Sequence, residues 1–296
     1  MTTTRSNNDV WDTRRLIRWT TGFLEKKNVD SPQLAAEMLL AHVLGVERIR
    51  LFMEFDRPSD PEERATFKAL VERAANHEPV QYLVGSASFY SLDFEVDSTV
   101  LIPRPSTATL VDQIVWFHRE NPNRESFRIA DIGTGSGIIA VCLAKHLPGC
   151  QVVATDISRG SLAVAERNAS KIGVADSIDF REGSLFDPLG DETFDIIVSN
   201  PPYIPDNEWA EVLPNVRDYE PVHALRAGVD GLDVIRPLVQ AAAKRLNKNG
   251  RLVVEIAASQ KQAVIDLVNE CDGLHSPEVK DDDEAFPRML IARKAD

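Results

Sequence analysis

Apolar positions recur at helical spacing through the first third of the chain. Leu16, Ile17, Trp19, Phe23 and Leu24 share one face of a segment predicted to be helical from Val10 to Lys27. Ser31-Pro32 offers an N-cap followed by proline at the first helical position, and Leu34, Met38, Leu39, His42 and Val43 continue the period. Asp60-Pro61 repeats the device, with Glu63 placed to complete a capping box and Phe67, Leu70, Val71 and Ala74 following. Residues 1–85 are therefore expected to form a small all-α domain. His42 and Trp19, on apolar faces, are expected to pack in its core rather than to bind a ligand.

The period then changes. Phe89–Val96 and Thr99–Ile102 read as the two arms of a β-hairpin, the second running into Pro103-Arg104-Pro105, which cannot continue as central strand. Residues 86–105 are expected to be a hairpin hinge, with an apolar helix over Thr107–His118 after it. Beyond residue 126, strands at Arg128–Ile132, Gln151–Asp156, Ser177–Arg181, Phe194–Ser199 and Gly250–Ile256 alternate with helices at Ile138–Leu147, Ser161–Ile172, Asp230–Leu246 and Lys261–Cys271. A last hairpin, Ser276–Lys280 with Arg288–Ala292, brackets the acidic turn Asp281-Asp282-Asp283-Glu284, read as a solvated loop. The alternation predicts an α/β domain over residues 106–296, built on a doubly wound, mostly parallel sheet with an antiparallel edge.

Composition narrows the function. The 296 residues suffice for two domains, and 43% hydrophobic with 27% charged residues is ordinary for a soluble globular chain. Cys142, Cys150 and Cys271 lack metal-type spacing and fit a reduced compartment, and the six histidines are scattered, so no metal site is expected. The polar start lacks the apolar core of a signal peptide and no apolar run reaches membrane-spanning length, so a cytoplasmic protein without membrane contact is expected. Net charge is -13, with 12 basic against 13 acidic residues in positions 1–90 and 21 against 33 in the remainder. Such a surface repels phosphate backbones, and no local basic groove is visible in the sequence, so no direct nucleic-acid partner is expected.

The candidate chemistry lies at strand ends. Asn200-Pro201-Pro202-Tyr203 follows the β-branched run Phe194–Ser199, where an open α/β sheet places its ligands. Two prolines stiffen the loop. The Asn200 side-chain oxygen and the Pro201 carbonyl can then act as two acceptors for a planar NH2 group, with the Tyr203 ring as a wall. A rigid surface turn with a capping Asn is the plainer alternative. Gly133-Thr134-Gly135-Ser136-Gly137 joins a strand to a helix, where glycines permit close approach and the helix start offers free N–H groups. Asp156 ends the next strand 19 residues on, the separation expected of a carboxylate that holds ribose hydroxyls. The Gly-x-Gly-x-Gly spacing lacks the extra residue of the dinucleotide pattern, and no Gly-Lys-Ser/Thr follows.

Asp131-Ile132-Gly133-Thr134-Gly135-Ser136-Gly137, Asp156 and Asn200-Pro201-Pro202-Tyr203, in that order, resemble the class I methyltransferases that use S-adenosylmethionine, whose sheet has seven strands. The flanks narrow the likeness. Pro79-Val80-Gln81-Tyr82 with Gly85, Val100-Leu101-Ile102-Pro103-Arg104-Pro105 with Thr107, Tyr219-Glu220-Pro221 and Asp230-Gly231-Leu232 resemble the release factor glutamine methyltransferases, the HemK or PrmC family. The resemblance implies methyl transfer from S-adenosylmethionine to the side-chain amide of the glutamine in the Gly-Gly-Gln loop of peptide chain release factors, by a monomer whose helical domain docks the substrate. It implies that Asn200, Pro201 and Tyr203 are catalytic, with Pro202 in the same substrate pocket. Gly133, Thr134, Gly135, Ser136 and Gly137 would take the methionine end of the cofactor, Asp156 its ribose and Leu185 its adenine, with Asn200 at the methyl end. The family usually carries acids where this chain has Ser106, Ala108 and Ser184, and glycine at Ala227 and Ala257. A ribosomal-protein glutamine methyltransferase is the near alternative, although those relatives tend to have serine where this chain has Pro105. A nucleic-acid N6-adenine or N2-guanine methyltransferase and a non-catalytic accessory protein are the more distant ones.

Overall fold

The computed structural model describes residues 10–121 and 126–295. The chain divides into two compact units, one running to Gly85 and joined by Pro214–Tyr219, the other formed by Ser86–Leu213 and the chain from Glu220 onward. The first unit holds α1 (Thr13–Glu25), α2 (Pro32–Leu44), α3 (Arg48–Met53), α4 (Pro61–Ala74) and α5 (Val80–Val84). Its core is Leu16, Leu24, Leu39, Leu40, Leu51 and Phe67. The capping box at Asp60 and Glu63 is present. Helix α1 starts later than its periodicity suggests because Asp12 caps it, accepting from the Arg15 N–H at 2.8 Å.

Two expected core residues are not in the core. The buried stripe of α1 is Leu16, Ile17, Thr20 and Leu24, which leaves Trp19 54% exposed and stacked on Phe23. His42 faces solvent as well. Both lie one position off the stripe that their helix buries, and a short amphipathic period does not resolve that difference. Within this unit the Tyr219 hydroxyl donates to the Asn76 carbonyl at 2.8 Å, which ties the returning segment 214–219 to it.

The second unit begins with a hairpin, β1 (Ser86–Phe89) and β2 (Leu92–Glu95), in a register different from the one expected. Tyr90 and Ser91 both have positive φ and form the two-residue turn, so Phe89–Val96 spans the turn instead of forming one arm. Thr99–Ile102 is not a strand; the Ile102 N–H donates instead to Glu220 Oε2 at 3.1 Å. Helix α6 (Ala108–Arg119) follows. Then come β3 (Arg128–Ile132), α7 (Ile138–His146), β4 (Gln151–Asp156), α8 (Arg159–Ile172), β5 (Ile178–Glu182) and β6 (Phe194–Ser199). After α9 (Pro214–Arg217), which belongs to the first unit, come α10 (Ile235–Arg245), β7 (Leu246–Glu255), α11 (Lys261–Asn269), β8 (Leu274–Asp281) and β9 (Pro287–Lys294). Residues 230–234 do not join α10, because Gly231 has φ +74° and the Asp230 side chain accepts from the Leu232 N–H.

The seven strands lie in the order β5-β4-β3-β6-β7-β9-β8, with β9 antiparallel to both its neighbours and the first five parallel. This is the doubly wound class I methyltransferase sheet. Helices α6, α7 and α8 cover one face around Ile129, Ile139 and Leu143, and α10 and α11 cover the other around Ile235, Leu238 and Val264. Every residue of β6 is buried, as a strand covered on both faces requires. The order in which strands are added reverses between β3 and β6, and the crevice at their carboxyl ends is where such a sheet binds ligands.

Candidate active site

Residues 199–203 leave the end of β6 as a corner held from several directions. The Ser199 hydroxyl donates to the Ile132 carbonyl at 2.7 Å, joining the ends of β6 and β3. The N–H groups of Tyr203 and Ile204 both donate to the Leu225 carbonyl, and the Ala227 N–H returns a bond to Ile204. The Gln260 side-chain NH2 donates to the carbonyls of Tyr203 (3.0 Å) and Gly231 (2.9 Å). Gly231 is required here, since a Cβ at that position would stand 2.4 Å from the Tyr203 carbonyl oxygen.

Asn200 is fixed by its side chain. Its Nδ2 donates to Thr107 Oγ1 at 3.1 Å, and Thr107 Oγ1 donates to Glu255 Oε2 at 2.7 Å. Ser106 donates to the other carboxylate oxygen of Glu255 at 3.3 Å. Thr107 and Glu255 are fully buried. Burial pushes the Glu255 carboxyl above its usual range, opposed by the Thr107 hydrogen bond and by the Arg288 and Arg104 charges. Beside them Arg104 pairs with Glu220 at 2.5 Å, and burial raises the Glu220 carboxyl too. Arg104 thus serves as a structural ion pair while also lining the cleft.

The glycine loop is tied to its neighbours from below. Gly133 and Thr134 donate to the Thr155 carbonyl, and the Gly135 N–H donates to Asp156 Oδ2 at 2.9 Å. Asp156 Oδ1 accepts from the Ser158 N–H. Asn168, fully buried, donates to the Ser136 carbonyl and both accepts from and donates to the Glu95 backbone, clamping β2 to the loop. Asp131 accepts from Thr134 and from the Ala140 N–H, and burial pushes its carboxyl up to about 7. Its Oδ1 is buried without a hydrogen-bond partner.

A cleft of about 340 Å³ opens above these strand ends. It brings together Gly133, Thr134, Gly135 and Ser136 with Asp156, Leu185, Asn200, Pro201 and Pro202. Two expected residues lie outside its lining. Gly137, at φ +82°, would carry a Cβ only 2.9 Å from that of Ala165, so its glycine serves the close packing of α7 on α8. Tyr203 packs against the α10–α11 core, and burial raises its hydroxyl to about 12. Residues that sequence reasoning missed are Thr107 and Glu255 behind Asn200, Gln260 behind Tyr203, and Ile157, an exposed apolar side chain in the cleft wall. The available signals were an acid ending the apolar run of β7 and an exposed apolar residue directly after Asp156.

Comparison with known proteins identifies the family. The "PrmC N-terminal domain" family matches residues 15–85, and the "Methyltransferase small domain" family matches residues 114–214. A release factor glutamine methyltransferase of Geobacter sulfurreducens is 44% identical over 89% of this chain and 92% of its own length. The chain belongs to the release factor glutamine methyltransferase family. A relative of the same description from Rhodopirellula baltica is 40% identical over 98% of this chain and 99% of its own length. A crystal structure of a methyltransferase from Pyrococcus furiosus, 18% identical, covers 71% of this chain and 92% of its own with a TM-score of 0.50, which speaks for the fold alone.

A member of this family uses S-adenosylmethionine, and the residues present fit that group. Positions where a Cβ would point from Gly133 and Gly135 meet nothing within 4 Å, so the loop leaves room above it. Each Asp156 oxygen keeps a free lone pair for a hydroxyl. Outside this cleft, Lys248, Arg251, His275, Arg293 and Lys294 line a second one of about 450 Å³ together with Glu120. This cluster, which the sequence does not display, is assembled by β-pairing: Arg293 sits opposite Arg251 on β7 and opposite His275 on β8. Among the described residues no helix is long and apolar enough to cross a membrane.

Proposed function

We propose that the protein transfers a methyl group to the side-chain amide nitrogen of the glutamine in the Gly-Gly-Gln loop of peptide chain release factors. The observation that carries the proposal is the Asn200 corner, whose amide nitrogen is taken by Thr107 while its Oδ1 has no donor among the described residues. The Pro201 carbonyl is likewise free of protein donors among those residues, and both residues line the cleft. When bound, S-adenosylmethionine supplies a methyl carbon made electrophilic by its sulfonium. An amide nitrogen is a weak nucleophile because its lone pair is delocalised into the carbonyl, so the chain's contribution is positioning and charge stabilisation.

In this reading Asn200 Oδ1 and the Pro201 carbonyl accept the two N–H bonds of the substrate amide. They hold the nitrogen towards the donor and stabilise the positive charge that grows on it as the new N–C bond forms. The proton that nitrogen then releases passes to water, so no general base is assigned. Asp156 holds the ribose hydroxyls, Gly133, Thr134, Gly135 and Ser136 accommodate the methionine end, and Leu185 with Ile157 flanks the adenine. Tyr203 acts through its backbone and core packing, and Pro202 stiffens the corner. The working unit is a cytoplasmic monomer whose substrate is protein, with the first unit providing the docking surface.

Two measurements test this. Mass spectrometry of a release factor incubated with the protein and S-adenosylmethionine should show one added methyl on the loop glutamine; an unmodified loop refutes the reading. Asn200→Ala should lower turnover by about two powers of ten or more while cofactor affinity changes little.

A further inference from the structure

We infer that Glu255, acting as a carboxylate through Thr107, sets which end of the Asn200 amide faces the substrate, so that Thr107 and Glu255 are positioning residues for methyl transfer. The inference rests on the proposed transfer to an amide nitrogen. It follows from counting protons along the chain of contacts. A carboxylate has none to give, so the bond between Glu255 Oε2 and Thr107 Oγ1 uses the single hydroxyl proton of Thr107. Thr107 Oγ1 can then only accept from its other neighbour, and that neighbour must present an NH2 group. Asn200 therefore turns Nδ2 towards Thr107 and Oδ1 away from it. Thr107 lies outside the cleft lining and Asn200 within it, so the freed oxygen is the one a substrate meets.

Water does not interrupt the chain, because Thr107 and Glu255 are fully buried. Burial raises the Glu255 carboxyl, and the hydrogen bonds and charges around it oppose that shift. Arg288 approaches from β9 and Arg104 from the elbow before α6, while Ser106 supplies a second hydrogen bond. Glu220, facing the same region, is paired with Arg104, and Tyr203 keeps its proton. A protonated or amide group at position 255 carries a donor as well as an acceptor, so the chain loses its fixed polarity: with the donor turned to Thr107, the Thr107 hydroxyl donates to Asn200 Oδ1 and leaves NH2 pointing at an NH2 substrate.

The test uses the purified full-length enzyme with a release factor and S-adenosylmethionine. Glu255→Gln, which preserves shape, should lower kcat on the order of 100-fold with cofactor Kd and release-factor KM within about threefold of wild type. Thr107→Val should do the same, Thr107→Ser should restore most of the rate, and the double variant should be no slower than the slower single one, because the residues act as one chain. A Glu255→Gln or Thr107→Val enzyme that folds and turns over at the wild-type rate overturns the inference, as does an additive double variant. If Glu255→Gln fails to fold, Thr107→Val, which exchanges one hydroxyl for a methyl, carries the same expectation. The orientation itself is read from the side-chain NH2 resonances of nitrogen-labelled asparagine: the Asn200 NH2 signal of the native enzyme should be shifted and slow to exchange, and should lose both features in Thr107→Val. An Asn200 signal indifferent to that change overturns the relay without bearing on the substrate, whereas an unmethylated release factor with the native enzyme overturns the substrate and not the relay.

Discussion

Gly231→Ala perturbs the Asn200 corner without touching the cleft. The added methyl would sit 2.4 Å from the Tyr203 carbonyl oxygen and 2.6 Å from the Gln260 side-chain nitrogen, about 1 Å short of ordinary contact for the first. Backbone at φ +74° also strains any residue with a Cβ, at roughly 1 kcal/mol. Gln260 can relieve the overlap only by giving up bonds to two carbonyls, each worth about 1 kcal/mol net. The sum is a loss on the order of 3 kcal/mol in stability. Relaxation by the other route moves the Tyr203 carbonyl, and with it the corner three residues from Asn200. A displacement on the order of 1 Å in a group that aligns a reactant costs about 100-fold in rate. Gly231 is absent from the cleft lining, so cofactor affinity should stay within about threefold of wild type. Urea unfolding, kcat on a release factor and calorimetric titration with S-adenosylmethionine separate these effects. A variant with normal kcat and lowered stability would show that the Gln260 brace supports folding alone, and the catalytic part of the reasoning would fall.

Asp156→Ala should weaken cofactor binding directly, on the order of tenfold or more, since it removes both the proposed ribose contacts and the Gly135 tether; calorimetry reads this, and an unchanged Kd argues against the assignment. Asp131 gives a pH dependence of stability in the cofactor-free protein. Its carboxyl stands near 7 when folded, chiefly through burial, and near 3.8 when exposed, so the folded state binds the proton more tightly. Its contribution is complete below the exposed value and is lost as pH rises through the folded one, a change on the order of 4 kcal/mol. Asp131→Asn should flatten that slope between about pH 4 and pH 7 in urea unfolding, and a slope left unchanged would place its origin elsewhere.

What was legible in the sequence was whatever a few neighbouring residues determine by themselves. The buried β6, the capping box of α4 and the turn from β3 into α7 are each marked by a residue pattern within a few positions. The hairpin register was not legible, because Tyr90 and Ser91 adopt positive φ without the glycine or asparagine that normally marks such a turn. Gly137 was readable as a loop glycine but not as a packing glycine, since its reason is Ala165 on the next helix. The supports of Asn200 were the least visible. Thr107 and Glu255 meet across 148 positions of sequence, and no periodicity or propensity links them. The strand alternation nevertheless brought the ends of β3, β4, β5 and β6 to the crevice where most of the proposed site residues gather.

A buried glutamate is an expensive support when shape is all that is needed, for an apolar residue of similar volume would pack at less cost in desolvation. Shape is not sufficient at Asn200. The two ends of a primary amide are nearly identical in size, so no arrangement of apolar walls can distinguish Oδ1 from Nδ2, whereas for an incoming NH2 group they are opposites. Only a partner of fixed hydrogen-bond polarity separates them. A hydroxyl alone lacks such polarity because it both donates and accepts; a hydroxyl whose proton is committed to a carboxylate has it. Glu255 and Thr107 together supply that combination next to the one amide whose oxygen must face outward. In the proposed reading the tetrapeptide Asn200 to Tyr203 therefore carries the acceptors but not their orientation, which is set from the start of α6 and the end of β7.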